Sequence, residues 1–244
     1  MRMLSSDMTD RPSRLVGILG GMGPAATADF YTKLVRLTPA SRDQDHVRVV
    51  VWADPTVPSR QDALLSGGED PKPALRQGIS YLLGCGAEIL ISPCNTAHAF
   101  LPAIVPEFPV EFISIVDSTV DAVRASTARG AVGLLATDGA LASGIYQVAL
   151  GAAGFSTTVL SEGSQAALME IVHSVKAGHE DATARVHDLV AEVVAKGAST
   201  VIAACTELST LIDDGWSGEG ALVVDPAVAL ARATIRRAQG APVP

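Results

Sequence analysis

The stretch Glu88-Ile89-Leu90-Ile91-Ser92-Pro93-Cys94-Asn95-Thr96-Ala97-His98 decides the fold, together with its counterpart 111 residues later, Thr200-Val201-Ile202-Ala203-Ala204-Cys205-Thr206-Glu207-Leu208. Both begin as short apolar runs. Each follows a small-residue turn, Gly84-Cys85-Gly86-Ala87 in one case and Lys196-Gly197-Ala198 in the other. Runs of this kind read as parallel strands buried on both faces. In each, a cysteine with a threonine close behind stands where the strand runs out. Ligands of open α/β sheets bind at the carboxyl ends of the strands. The pairing therefore predicts one site with a sulfur on each side, contributed by two related halves.

Working outward, the chain reads as two copies of one pattern. The first runs through a strand at Leu15–Leu19, a glycine turn at Gly20-Gly21-Met22-Gly23-Pro24 and a helix over 25–37. A strand over 46–53, a long loop over 54–70 and a helix over 74–83 lead to the Cys94 strand. A helix entry over 97–104 and a strand over 110–116, ending in Asp117, complete it. The second copy has a strand over 131–137, a small-residue turn over 139–144, a helix over 145–153 and a strand over 157–160. An amphipathic segment over 165–176 and a helix over 182–196 precede the Cys205 strand. A strand over 221–225 and a closing helix over 227–238 end the chain. Four landmarks recur: Gly17 and Gly133 are 116 apart, Gly86 and Gly197 111, Cys94 and Cys205 111, and Asp117 and Asp225 108.

Alternating strands and helices imply parallel sheets with right-handed crossovers. The expected fold is α/β: two pseudo-symmetric doubly wound parallel-sheet halves, with the active site in the cleft between them. The expected organisation is a disordered tail over 1–14, a first half over 15–117 and a second half over 118–226. The closing helix, 227–240, is expected to pack back on the first half.

Composition narrows the function. Of the 244 residues 48 % are hydrophobic, enough for a substantial core, and only 4 % are aromatic, so aliphatic residues must fill it. Formal net charge is −8 and no basic run exists, which excludes nucleic acid and anionic membrane as partners. No apolar run reaches the length of a membrane span. The N-terminus lacks the apolar core of a signal peptide. Three cysteines are an odd, low number for a disulfide framework. The expectation is a cytoplasmic protein with free thiols.

A free cysteine is ordinarily a small core hydrophobe, and Cys85, which has no counterpart, is read that way. Packing does not account for sulfur at both strand ends. Both Cys94 and Cys205 precede residues able to start a helix, and a helix N-terminus lowers a thiol's pKa. One thiolate and one thiol supply a base on one face of a substrate carbon and an acid on the other. That suits proton abstraction beside a carboxylate without a cofactor or metal, provided backbone N–H groups and Asn95, Thr96, Thr137 and Thr206 hold the carboxylate.

The motifs Gly20-Gly21-Met22-Gly23-Pro24 with Cys94-Asn95-Thr96-Ala97-His98 and Ala204-Cys205-Thr206-Glu207-Leu208, in this order and spacing, resemble the aspartate racemase branch of the aspartate/glutamate racemase superfamily. The resemblance covers Leu15 to about Ala238. It implies a cofactor-independent racemase of two α/β halves, with Cys94 and Cys205 as the catalytic pair, and a homodimer. It also implies that Arg60, in Val57-Pro58-Ser59-Arg60, and Lys176, in Val175-Lys176-Ala177-Gly178, hold the side-chain carboxylate of aspartate. Solvated surface charge is the ordinary reading of such residues. An arginine fork suits a carboxylate, and the pair together implies a small dicarboxylic amino acid, aspartate or glutamate. Met22 of the glycine turn joins the expected substrate-binding set. His98 and Glu207 either tune the thiols or satisfy backbone donors at helix starts. Ala140 departs from the family, which often has threonine after this glycine.

Other readings compete. Gly21-Met22-Gly23-Pro24-Ala25-Ala26 satisfies the relaxed G-x-G-x-x-A pattern of an NAD(P)-binding oxidoreductase. That reading leaves the second cysteine copy unexplained. A two-thiol isomerase of another small dicarboxylate, such as a maleate isomerase, keeps the scaffold. Arg60 and Lys176 argue against hydantoins and arylmalonates. A non-catalytic carboxylate-binding protein is the remaining alternative.

Overall fold

The computed structural model describes residues 13–126, 130–178, 182–212 and 220–240. The first half contains β1 (Val16–Gly20), α1 (Pro24–Leu37), β2 (Val49–Ala53), α2 (Arg60–Leu65) and α3 (Lys72–Gly84). It continues through β3 (Ile89–Ile91), α4 (Leu101–Ile104), β4 (Glu111–Ile113) and α5 (Ile115–Ala125). The second contains β5 (Ala131–Ala136), α6 (Asp138–Ser143), α7 (Ile145–Ala152), β6 (Thr157–Val159) and α8 (Glu162–Lys176). It ends with α9 (Thr183–Ala195), β7 (Ala198–Ala204), β8 (Leu222–Val224) and α10 (Pro226–Ala238). Each half is a four-stranded sheet with every pairing parallel, in the orders β2-β1-β3-β4 and β6-β5-β7-β8. The fold is the expected α/β pair of sheets with flanking helices.

The repeat reaches down to single contacts. Gly17 of β1 lies opposite Leu90 and Gly133 of β5 opposite Val201, each four residues before its cysteine. Both glycines leave room for a helix pressed onto the sheet. A Cβ on Gly17 would stand 2.9 Å from Ala87 Cβ and 3.2 Å from Leu82 Cβ. On Gly133 it would stand 2.7 Å from Val193 Cγ2 and 3.2 Å from Ala198 Cβ. Leu82 and Val193, like Ala87 and Ala198, sit at the same 111-residue offset as the cysteines. One landmark is corrected. Strand β4 ends at Ile113, and Asp117 belongs to the first turn of α5. The true counterpart of Asp225 is Ser114, again 111 residues away: each caps the helix that follows, accepting from Asp117 N–H (3.2 Å) and Ala227 N–H (2.8 Å). The apolar run 110–116 spans both the strand and the helix start, so apolarity alone could not divide it.

Two further expectations change. The segment 54–70 is not all loop: Ser59 accepts from Asp62 N–H and starts α2. No residue of α2 is buried, so no apolar period announces it. The 139–144 stretch, expected as a small-residue turn, is helical through Ser143 in α6, which Thr137 caps and Gly144 ends. The expected tail lies outside the described residues up to residue 12. Its last residue, Arg14, is part of the fold, with its N–H donating to Ala238 O (3.0 Å) and its guanidinium paired with Glu111 (2.5 Å).

Strand side chains alternate between two layers. One face of both sheets, with Ile18, Ile89, Ile91, Val132, Leu134 and Ile202, meets a shared central core. Helices α1, α5, α7 and α10 fill that core with Phe30, Leu34, Val120, Tyr146, Leu150 and Leu230. The opposite faces are covered separately, by Leu75, Ile79 and Leu82 of α3 in the first half, and by Leu168, Ile171, Val186 and Val190 of α8 and α9 in the second. Each fully buried Leu, Ile or Phe contributes about 1.5–3 kcal/mol. The continuous central layer holds the two sets of strand ends in fixed relation, and the closing helix α10 lies in it.

Candidate active site

Strand β3 stops where Pro93 removes a ladder donor and Ser92 Oγ turns inward to donate to Leu19 O (2.8 Å). Cys94 follows, then a 3₁₀ turn over Thr96–Ala99. Behind it, His98 is buried between two backbone groups: Nδ1 is 2.9 Å from Cys94 O, and Ile115 N–H donates to Nε2 (3.1 Å). Since Nε2 accepts, Nδ1 carries the proton and donates to Cys94 O. Burial pushes His98 down to about 4, so the ring is neutral at physiological pH. His98 fixes the Cys94 backbone and does not face the cavity.

Asn95 is oriented by Tyr146, whose hydroxyl donates to Asn95 Oδ1 (2.5 Å). Burial raises the Tyr146 pKa above its ordinary value, keeping the O–H donor intact. Asn95 Nδ2 is buried without a protein partner. Thr96 Oγ1 and Thr137 Oγ1 lie 3.1 Å apart and join the halves. Neither Tyr146 nor this hydroxyl pair has a signal in the local sequence.

Strand β7 ends at Ala204, and Cys205 follows directly. Its Sγ donates to Glu207 Oε2 at 3.0 Å. Burial, and then the adjacent Glu207 charge, push the Cys205 thiol well up; it is a thiol at neutral pH. Glu207 is itself buried, with Oε1 3.6 Å from Lys176 Nζ at the end of α8.

Arg60 opens α2. Its Nη1 donates to Val57 O and Pro58 O (3.0 Å each), and Nη2 to Met22 O (3.3 Å). Its Nε is buried without a partner. The neighbouring Gln61 crosses to the second half, accepting from Gly139 N–H at 2.6 Å. Helix α2 thus roofs the strand ends.

These groups enclose one cavity of about 50 Å3, lined by Met22, Ser59, Arg60, Gln61, Cys94 and Asn95 from the first half. Thr96 also belongs to that half, and Thr137, Lys176, Cys205, Thr206 and Glu207 complete the lining. Every expected substrate-binding residue is present, as are both strand-end cysteines, which are 6 % and 3 % exposed. His98 is not among them. Ala140 is buried in the central core rather than facing the cavity. Ser59 and Gln61 escaped the sequence reading; their adjacency to Arg60 was the available signal. Cys85 is exposed at the end of α3, not a core hydrophobe. The cavity suits a small ligand with acceptor groups, because its unmatched buried donors are Asn95 Nδ2 and Arg60 Nε. Each leaves a desolvation cost of about 1–3 kcal/mol until a ligand fills it.

The glycine turn does not serve a pyrophosphate. Gly21 N–H donates to Thr27 Oγ1 (2.9 Å), and a Cβ on Gly21 would fall 2.3 Å from Asp54 N. Its glycines let β1 and α1 close on their own chain. No helix among the described residues is long and apolar enough to cross a membrane.

The chain is similar to known proteins along nearly its whole length. Residues 19–234 match the family model described as Asp/Glu/Hydantoin racemase. The broad specificity amino-acid racemase RacX of Bacillus subtilis is 28 % identical over 226 residues, covering 91 % of this chain and 96 % of that protein. Among solved structures, the Picrophilus torridus aspartate racemase superposes with a TM-score of 0.80 at 31 % identity, covering 95 % and 96 % of the two chains. An aspartate racemase homologue from Pyrococcus horikoshii OT3 shares the fold at TM-score 0.76 and 22 % identity, covering 92 % and 99 %. The chain belongs to the Asp/Glu/hydantoin racemase family and is an isomerase, an amino-acid racemase.

Proposed function

We propose that this enzyme racemises a small dicarboxylic amino acid, aspartate before glutamate, by two-base proton transfer between Cys94 and Cys205. The observation that carries the reading is the single cavity lined by both strand-end cysteines together with Arg60 and Lys176. Cys205 enters as the acid, held protonated by burial and Glu207. In that direction Cys94 takes the α-proton. The carbanion's charge spreads onto the substrate α-carboxylate, which takes hydrogen bonds from Asn95 Nδ2 and the Thr96, Thr137 and Thr206 hydroxyls. Cys205 then returns a proton to the opposite face and the configuration inverts. The reverse direction exchanges the roles. Arg60 and Lys176 hold the second carboxylate, with Arg60 anchored in place by three backbone carbonyls. Met22 lines the same cavity.

No cofactor is called on, since both proton-transfer groups and the charge-stabilising donors belong to the chain. The family resemblance supports a cytoplasmic homodimer. The test is incubation with a panel of L-amino acids followed by chiral chromatography. Conversion of aspartate or glutamate ahead of neutral and basic amino acids supports the reading; preference for amino acids without a second carboxylate contradicts it. The panel matters because the RacX relative is a broad specificity racemase.

A further inference from the structure

Beside the catalytic cavity lies a second one, of about 210 Å3, lined by Gly21, Met22, Gly23, Pro24, Ala25 and Ala26. Pro55, Arg60, Val175, Lys176, Glu207 and Thr210 close it, and it contains no cysteine. Pro24, Ala25, Pro55, Lys176 and Thr210 are exposed, so it opens to solvent. The two cavities share Met22, Arg60, Lys176 and Glu207. Of these, Glu207 hydrogen-bonds a thiol. Its Oε2 accepts from Cys205 Sγ (3.0 Å). Its Oε1 is buried, without a hydrogen-bond partner though 3.6 Å from Lys176 Nζ, and lies 3.6 Å from where a Cβ would stand on Gly23, which lines the second cavity. Among the described residues, the Cys94 thiol has no side-chain hydrogen-bond partner, and Cys94 lines the catalytic cavity but not the second one.

We propose that Glu207 and the second cavity form a proton-return route by which Cys205, but not Cys94, regains its proton from solvent between turnovers. The inference rests on the two-thiol reading above. After one inversion Cys205 is a thiolate and Cys94 a thiol, and the enzyme must exchange these states before the next substrate of the same hand. When the side chain moves to uncover Oε1 beside Gly23, a hydronium ion from the second cavity protonates it and leaves as water. The carboxyl group turns about its terminal torsion, which has a broad, roughly two-fold profile, and presents the proton to the Cys205 sulfur. Thiolate plus hydronium becomes thiol plus water, Glu207 returns to carboxylate, and the Cys94 thiol gives its proton to water in the catalytic cavity, which completes the exchange. Lys176 Nζ pairs with Oε1 across 3.6 Å at the mouth of the route.

The test separates reset from chemistry. Steady-state rates are measured from one enantiomer for the wild type, Glu207→Gln and Glu207→Asp, with and without formate, a small acid-base pair able to enter the second cavity. Slow reset limits only the saturated rate. Glu207→Gln should therefore lower kcat at least tenfold and KM with it, while kcat/KM changes far less. Formate should restore kcat in a concentration-dependent way and leave the wild type unaffected. Glu207→Asp, which keeps the charge and withdraws it from the thiol, should show the same pattern more weakly and carries the test if Glu207→Gln does not fold. An unchanged kcat in both variants overturns the route, and so does an equal fall in kcat and kcat/KM without formate rescue. Failure of the two-thiol reading shows elsewhere, as an active Cys94→Ser or Cys205→Ser enzyme.

Discussion

The Cys205 thiol donates to Glu207 Oε2 across 3.0 Å, so the buried sulfur faces a buried carboxylate two residues along the same chain. Burial and the carboxylate act in the same direction and hold the sulfur protonated. In the unfolded chain the thiol ionises near its ordinary value, so this contribution to stability is complete below that value and is lost as pH rises beyond it.

Alkylation reads this state directly. At pH 8, iodoacetamide should label the exposed Cys85 quickly and leave Cys205 untouched in the folded protein, as followed by peptide mass spectrometry. Glu207→Gln should raise Cys205 labelling only in part, since burial is the larger cause. Equal labelling of Cys85 and Cys205 in the wild type contradicts the assignment. Cys85→Ala should keep full activity.

Arg60 should carry the preference for a second carboxylate. Arg60→Ala is expected to reduce kcat/KM for aspartate by about 2–4 kcal/mol of transition-state binding. Arg60→Lys should not restore it, because one ammonium cannot hold Val57 O, Pro58 O and Met22 O and still offer a free donor. Unchanged turnover of acidic amino acids in Arg60→Ala removes this role.

His98 gives stability an acid limit. Its folded value, about 4, lies below the unfolded value of 6.5, so only the unfolded chain binds its proton between them. The associated stability, about 3 kcal/mol, is fully present above pH 6.5 and is lost as pH falls to 4. Denaturant titrations from pH 7 to 4 should show this loss in the wild type, and a correspondingly smaller one in His98→Ala. Parallel pH profiles for the two proteins contradict the burial of a neutral ring.

Tyr146→Phe tests the support beneath Asn95. Removing the hydroxyl leaves Asn95 Oδ1 buried without its donor, which should cost about 1–3 kcal/mol in stability by thermal or urea unfolding. KM for the substrate should rise as Asn95 Nδ2 loses its fixed direction. An Asn95→Ala background should remove the KM effect of Tyr146→Phe.

Much of this arrangement was legible in the sequence because the repeat writes it twice. Apolar runs ending in Cys94 and Cys205 mark two buried parallel strands, and the common offset places both sulfurs at equivalent strand ends. What was illegible depends on tertiary contacts. Helix α2 has six residues and no buried face, so periodicity passes over it, although its roof brings Gln61 and Arg60 to the cavity. Tyr146 is remote in sequence from the asparagine it orients. His98 and Glu207 looked equivalent beside their cysteines; one turned behind the strand end to hold backbone, the other to hold sulfur.

The most direct test of the two-thiol account is racemisation in D2O, with the enantiomers separated before mass analysis. Product of inverted configuration should carry one deuterium at the α-carbon, while substrate recovered at early times keeps its hydrogen. Cys94→Ser and Cys205→Ser should each abolish inversion, because a serine hydroxyl is too weak an acid to replace the thiol. Equal early deuteration of both enantiomers, or full racemisation by either serine variant, would contradict it.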